Sequence, residues 1–99
     1  MHLGKVIGTV WSTRKDEKLV GAKFLIVRQL NLDYTPKDNF VVAVDSVGAG
    51  VGEIVLYAQG SSARQTTFTK NKPVDAVIMA IVDKLDIPVK EKLNEMVKN

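Results

Sequence analysis

The 99-residue sequence contains no cysteine, which excludes a disulfide framework, a thiolate metal site and a cysteine nucleophile. It has one histidine, His2, and a single imidazole near the N-terminus supports neither a Ser-His-Asp arrangement nor a multi-histidine metal site within one chain. The sequence alone makes His2 a bystander on a mobile end. Long apolar runs are also missing: the longest, Ala76 to Val82, is far below the ~20 residues a membrane-spanning helix needs. No basic segment followed by a long apolar stretch opens the chain, so no secretory signal is expected and the reading is of a soluble, intracellular protein. A block of one charge sign is absent as well. The run Arg14-Lys15-Asp16-Glu17-Lys18 alternates in sign and precedes Gly21, which suits a solvated hairpin tip better than a nucleic-acid-binding arm.

What is present fits one small domain. The net charge of +3 is concentrated in residues 1–40, which carry seven basic against four acidic groups. Five segments rich in β-branched or aromatic residues read as strands: Leu3 to Thr13, Lys23 to Leu32, Phe40 to Val44, Glu53 to Ala58 and Ala76 to Asp83. The first is apolar on both faces, so its second side is expected to be covered, and Gly4 and Gly8 mark a bulge or bend within it. Asn31 to Asn39 reads as a turn-rich loop around Tyr34. After Gly60, either Ser61 or Ser62 can cap a short helical turn ending near Arg64. Asp86 and Pro88 start an amphipathic C-terminal helix with Val89, Leu93, Met96 and Val97 on one face. The expected fold class is all-β: a small five-stranded OB-like barrel, residues 1–85, with one short helical turn and a C-terminal helix or tail over 86–99. As an open barrel it leaves edge strands that need covering.

Catalytic machinery is hard to find. Asp45, Glu53, Asp75 and Asp83 are available as carboxylates, but no pattern sets two of them in contrasting environments, so capping, turn or ion-pair roles are expected. Gly48-Ala49-Gly50-Val51-Gly52 is the densest special feature. It lacks the Gly-Lys-Ser/Thr ending of a P-loop, and a strand follows where a phosphate-binding helix would begin. A tightly packed loop is the better reading. No cofactor, metal or catalytic residue is expected. Nucleic-acid binding needs exposed aromatics beside basic residues, and among Trp11, Phe24, Phe40, Tyr57 and Phe68 only Trp11, close to Arg14 and Lys15, fits; most of them fall on core-like positions.

The stretch Asp45-Ser46-Val47-Gly48-Ala49-Gly50-Val51-Gly52-Glu53, followed at fixed spacing by Gly60-Ser61-Ser62-Ala63-Arg64, resembles the EutN/CcmL family of bacterial microcompartment vertex proteins. The resemblance extends to Gly8-Thr9-Val10-Trp11-Ser12-Thr13-Arg14-Lys15, to Leu19-Val20-Gly21-Ala22-Lys23 and to Pro73-Val74-Asp75, covering residues 3 to about 85. It implies a homopentamer of OB-like barrels at the five-fold vertices of a protein shell in the bacterial cytoplasm. Its partners there are the hexameric shell proteins of the compartment, with no nucleic acid and no membrane. It further implies that Gly48, Ala49, Gly50, Val51 and Gly52 lie at a subunit interface near a central opening. Asp45, Glu53, Ser61, Ser62 and Arg64 then supply interface polar groups, with Arg64 bridging to a neighbour's carboxylate or carbonyl. The Met1-His2-Leu3 opening leans towards a catabolic compartment over a carboxysome. The alternative function is an OB-type module that binds single-stranded nucleic acid.

Overall fold

The computed structural model describes residues 1–12, 16–65 and 75–86. Five strands form a closed barrel: β1 (His2–Val10), β2 (Lys23–Leu30), β3 (Pro36–Asp45), β4 (Ile54–Gln59) and β5 (Ala76–Ile81), in the spatial order β1-β2-β3-β5-β4 with β4 returning to β1. All pairings are antiparallel except β3 with β5, a parallel seam of two residue pairs, Val44 with Val77 and Asp45 with Ile78. The barrel is therefore closed, where the sequence suggested an open one. Closure comes from β5, whose apolar run Ala76-Val77-Ile78 is buried between β3 and β4.

Alternation explains the core. Leu25 and Val27 on β2, Ala43 on β3, Val55 and Tyr57 on β4, and Val6 and Ile78 all point inward and are buried together with Ala49 from a loop. Each of the larger side chains stabilises the fold by roughly 1.5–3 kcal/mol. Register shifts in β1 between Val6 and Gly8, so the bulge expected from the glycines lies at Ile7 and turns that side chain outward.

Three differences from the sequence reading have physical causes. β3 begins at Pro36, not Phe40, because proline is tolerated at the first position of a strand and the polar Lys37, Asp38 and Asn39 project from an exposed edge. The loop thus shortens to Asn31–Thr35. His2 is not at a loose end: it pairs with Tyr57 across β1 and β4, stacks on its ring with centroids 5.2 Å apart, and its Nδ1 lies 3.2 Å from the Gln29 amide. Finally, the short 3-10 turn spans Gly60–Arg64, so it begins at the glycine and includes the positions of Ser61 and Ser62. Buried Ala63 anchors that turn against Ala58 and Val77.

The hairpin-tip reading holds for Asp16 to Gly21, where the Asp16 carboxylate accepts from the Lys18 amide and a 3-10 turn covers Glu17–Leu19. Arg14, Lys15 and Phe68, and the C-terminal helix over Val89 to Val97, lie outside the described residues.

In the β2–β3 connection, the Asp33 carboxylate accepts from the Thr35 hydroxyl at 2.6 Å and the Thr35 amide at 3.1 Å. These bonds, the hydroxyl's first, hold its pKa below the ordinary 3.8. The turn's contribution is present above that ordinary value and is lost as pH falls through the lower folded one. Thr35→Val removes the hydroxyl and keeps the shape, so Asp33 is expected to titrate nearer its ordinary value, as read by NMR of its side-chain carboxyl.

Candidate functional site

The glycine-rich loop between β3 and β4 is built by its two flanking carboxylates. Asp45 Oδ1 accepts from the amides of Val47 at 3.1 Å and Ala49 at 3.2 Å, and Glu53 Oε1 accepts from the Gly50 amide at 2.6 Å. A turn bond from the Glu53 amide to the Gly50 carbonyl closes the loop at 3.1 Å. Hydrogen bonds to a charged group are worth about 1.5–3 kcal/mol each, so two carboxylates are enough to hold a short loop in one shape. The backbone requires glycine at Gly48 (φ 77°) and Gly52 (φ 94°), which occupy the left-handed region.

The loop is also tied to the barrel on three sides. The Gly52 amide donates to the Val6 carbonyl and the Val6 amide to the Glu53 carbonyl, at 2.8 and 3.0 Å. Lys23 Nζ donates to the Ala49 carbonyl at 3.3 Å, and Ser46 Oγ donates to the Ile78 carbonyl at 2.7 Å. Ala49 enters the core, while Val47 and Val51 stay exposed on the outer side. This arrangement also argues against a phosphate cradle. The amides of Val47, Ala49 and Gly50 already face Asp45 and Glu53, and an anion would have to displace two carboxylates to reach them.

The candidate residues form two groups. Asp45 and Gly48 to Glu53 precede β4, whereas Ser61, Ser62 and Arg64 follow it, with Arg64 exposed at the end of the 3-10 turn. Strand β4 has six residues, which at 3.3 Å each set Glu53 about 20 Å from the start of the turn, whereas Asp45 pairs with Ile78 on β5, next to Val77, on which Ala63 packs.

A third feature was not legible as a site. On β3, Val41 and Ala43 face the core, so Phe40 and Val42 point outward and are 55% and 52% exposed. The Arg28 guanidinium lies 5.1 Å from the centre of the Phe40 ring, held by its Nε bond to the Lys37 carbonyl at 2.9 Å and a 3.5 Å ion pair with Asp38. The available signal was the unbroken apolar run Phe40-Val41-Val42-Ala43-Val44, which makes both faces of β3 apolar. At the far end of β1, Trp11 is 89% exposed and walls a groove with Val10, Ala22 and Phe24.

The described residues contain no group of three or more histidine, aspartate or glutamate side chains placed to hold a metal. Compared with known families, residues 1–83 match the model described as ethanolamine utilisation protein EutN/carboxysome. The chain belongs to the EutN/CcmL family. Among EutN/CcmL relatives, the Rhodospirillum rubrum microcompartment shell vertex protein GrpN is 50% identical over 86 residues, 87% of this chain and 97% of the relative. The Salmonella typhimurium shell vertex protein PduN is 47% identical, over 86% of this chain and 98% of its own. Two solved EutN/CcmL structures superpose closely. GrpN, described as a pentameric microcompartment shell protein, gives a TM-score of 0.80 at 48% identity, covering 89% of this chain and all (100%) of the other. Gloeobacter violaceus CcmL, named in sequence comparison as a carboxysome shell vertex protein, gives 0.82 at 41% identity over 88% and 90%.

Proposed function

We infer that this chain is a structural vertex protein of a bacterial microcompartment shell, working as a homopentamer at the five-fold corners. The observation that carries this reading is the end-to-end match to GrpN, in sequence and in barrel geometry, a protein described as a pentameric shell protein. Sheets of hexagonal tiles stay flat, and five-fold tiles make them close, so a vertex protein needs a rigid barrel and ring-forming surfaces and no reaction chemistry. The chain is not an enzyme in this reading. Its shell partners are hexameric tiles, and its place is the shell in the bacterial cytoplasm, with no nucleic acid or membrane bound. The vertex domain in this reading spans residues 1–85.

The braced loop suits a position near the five-fold axis, where five copies converge and Val51 and the small residues Gly48 to Gly52 border a narrow opening. Arg64 then reaches across to the neighbouring subunit. About 20 Å of β4 lies between Glu53 and the turn that carries Arg64 in the same chain, so a bridge from Arg64 to Glu53 runs between chains. Glu53 uses one oxygen inside the loop and has the other for such a bridge.

Light scattering of the wild-type chain is expected to give five subunits, and electron microscopy is expected to show closed polyhedral shells only when the protein is co-produced with hexameric tiles. A single-chain mass together with salt-dependent oligonucleotide binding would instead favour the nucleic-acid module. Arg64→Ala is expected to shift the mass towards single chains at low concentration. An undiminished pentamer would remove Arg64 from the interface.

A further inference from the structure

A closed ring of identical chains is held by a heterologous interface, in which one patch of each subunit meets a different patch of the next. The two patches have not yet been assigned, and the inference here rests on the pentameric reading above. We propose that Trp11 is the projecting anchor and that the outer face of β3, Phe40 and Val42 with Arg28, is the surface on the next subunit that receives it.

Trp11 is the only tryptophan in the chain and is 89% exposed, at the β1–β2 end of the barrel, whose connection also carries exposed Val20. An indole buries roughly 150–250 Å² when covered, about a quarter of the ~800 Å² that each partner contributes to a stable interface. A second copy of this chain is the occupant its relatives supply, since the GrpN structure is described as pentameric.

The receiving surface is distinct and lies elsewhere. Phe40 pairs with Arg28 and Val42 with Ile26 across β2 and β3, whereas Trp11 follows Val10, which pairs with Phe24 at the opposite end of β2. Val42, opposite Ile26, lies two strand positions from Phe24 and Phe40, opposite Arg28, lies four, so the receiving residues begin about 7 Å along the sheet from the end that carries Trp11 and extend to about 13 Å. One chain therefore presents both patches at once, as a ring requires. The chemistry of the receiver also suits an indole. Arg28 is fixed over the Phe40 ring by Lys37 and Asp38, and two exposed apolar side chains flank it. Tryptophan, tyrosine and arginine dominate interface energetics, and such anchors tend to pair with one another.

The sole tryptophan makes the test direct. In wild-type rings its emission is expected to be that of a water-shielded indole, protected from acrylamide, and to move to the red as dilution lowers the scattering mass. Trp11→Ala and Val42→Asp, each checked as folded by circular dichroism, are expected to raise the concentration needed for rings by roughly thirtyfold or more, the fold-change of losing a main anchor. Mixed together, the two variants retain one intact pairing, the tryptophan of the Val42→Asp chain on the β3 face of the Trp11→Ala chain. The expected product is a species of two chains and no ring. Five-subunit rings with a water-exposed indole, rings formed undiminished by either variant, or a mixture that stays as single chains would each overturn the proposal and leave the pentamer standing. Quenching of the wild-type indole by an oligonucleotide would overturn it too, and a wild-type chain that never assembles would remove the pentamer itself.

Discussion

Gly4→Ala is expected to cost this barrel about 2–3 kcal/mol, the largest loss from adding a single carbon anywhere in the described glycines. A Cβ at that position would overlap Val27 Cγ1, stand 2.9 Å from Tyr57 Cε1 and 3.0 Å from the Arg28 carbonyl oxygen. No single movement relieves all three, because Val27 and Tyr57 are fully buried and the carbonyl belongs to β2. Replacing glycine by alanine also restricts the unfolded chain, which favours folding by roughly 0.4–1 kcal/mol. Overpacking of a dense core costs about 1–3 kcal/mol and sometimes more, so the steric loss wins. Gly8 in the same strand is the control. A Cβ there comes no closer than 3.4 Å, to the flexible end of Ile26, and Gly8→Ala is expected to be near neutral. For a domain of this size the Gly4 variant should melt roughly 10 °C or more below wild type. Scanning calorimetry at one fixed protomer concentration checks both.

Tyr57→Phe is expected to do the opposite and stabilise the fold by about 1 kcal/mol or more. Among the described residues Tyr57 is the largest fully buried side chain and its hydroxyl meets no hydrogen-bond partner, and its ring packs where Gly4 leaves room. A buried, unpaired hydroxyl costs roughly 1–3 kcal/mol relative to its hydration in the unfolded chain, and phenylalanine retains the ring while removing that cost. Burial also pushes the phenol above its ordinary value of 10.0. A group whose folded pKa is raised loses its favourable contribution as pH climbs past the unfolded value towards the folded one. Wild-type stability should therefore fall above about pH 10, and part of that fall should be missing from Tyr57→Phe. Urea denaturation at neutral and alkaline pH separates the two effects; a variant less stable than wild type at neutral pH would contradict the unpaired hydroxyl.

Much of this architecture was legible in the residues. Short apolar runs bounded by turn formers placed β1, β2, β4 and β5 to within three residues at their ends. The glycines of the 48–52 loop signalled the left-handed backbone found at Gly48 and Gly52, while of that loop only Ala49 enters the core. What escaped had identifiable causes. Pro36 to Asn39 carries turn chemistry, yet it forms strand because its partner β2 supplies the hydrogen bonds, with Leu30 opposite Pro36. His2 has no local signal for its stacking on Tyr57, a contact made across 55 positions of sequence. Asp45 and Glu53 read as generic carboxylates, although the Asp45 bond to the amide two residues on is an Asx turn and was open to inference. The apolar outer face of β3 was hidden because a run apolar on both faces looks like a central strand, whichever side another molecule covers.

The parallel seam between β3 and β5 bears on how the chain reaches this fold. β1, β2 and β3 form an antiparallel meander from neighbouring segments, whose short connections close at small entropic cost. Val44 finds Val77 only after a loop of more than thirty residues has been closed, for a reward of two pairings. Such long-range contacts form late. Of the five strands β5 is the last to be synthesised, and until Ala76 to Ile81 has docked, β3 and β4 stand open along the edges it pairs with. A nascent or truncated chain ending before Ala76 carries two unpaired strands of the kind that recruit other chains indiscriminately. The ordered ring thus depends on the final strand having already sealed each tile.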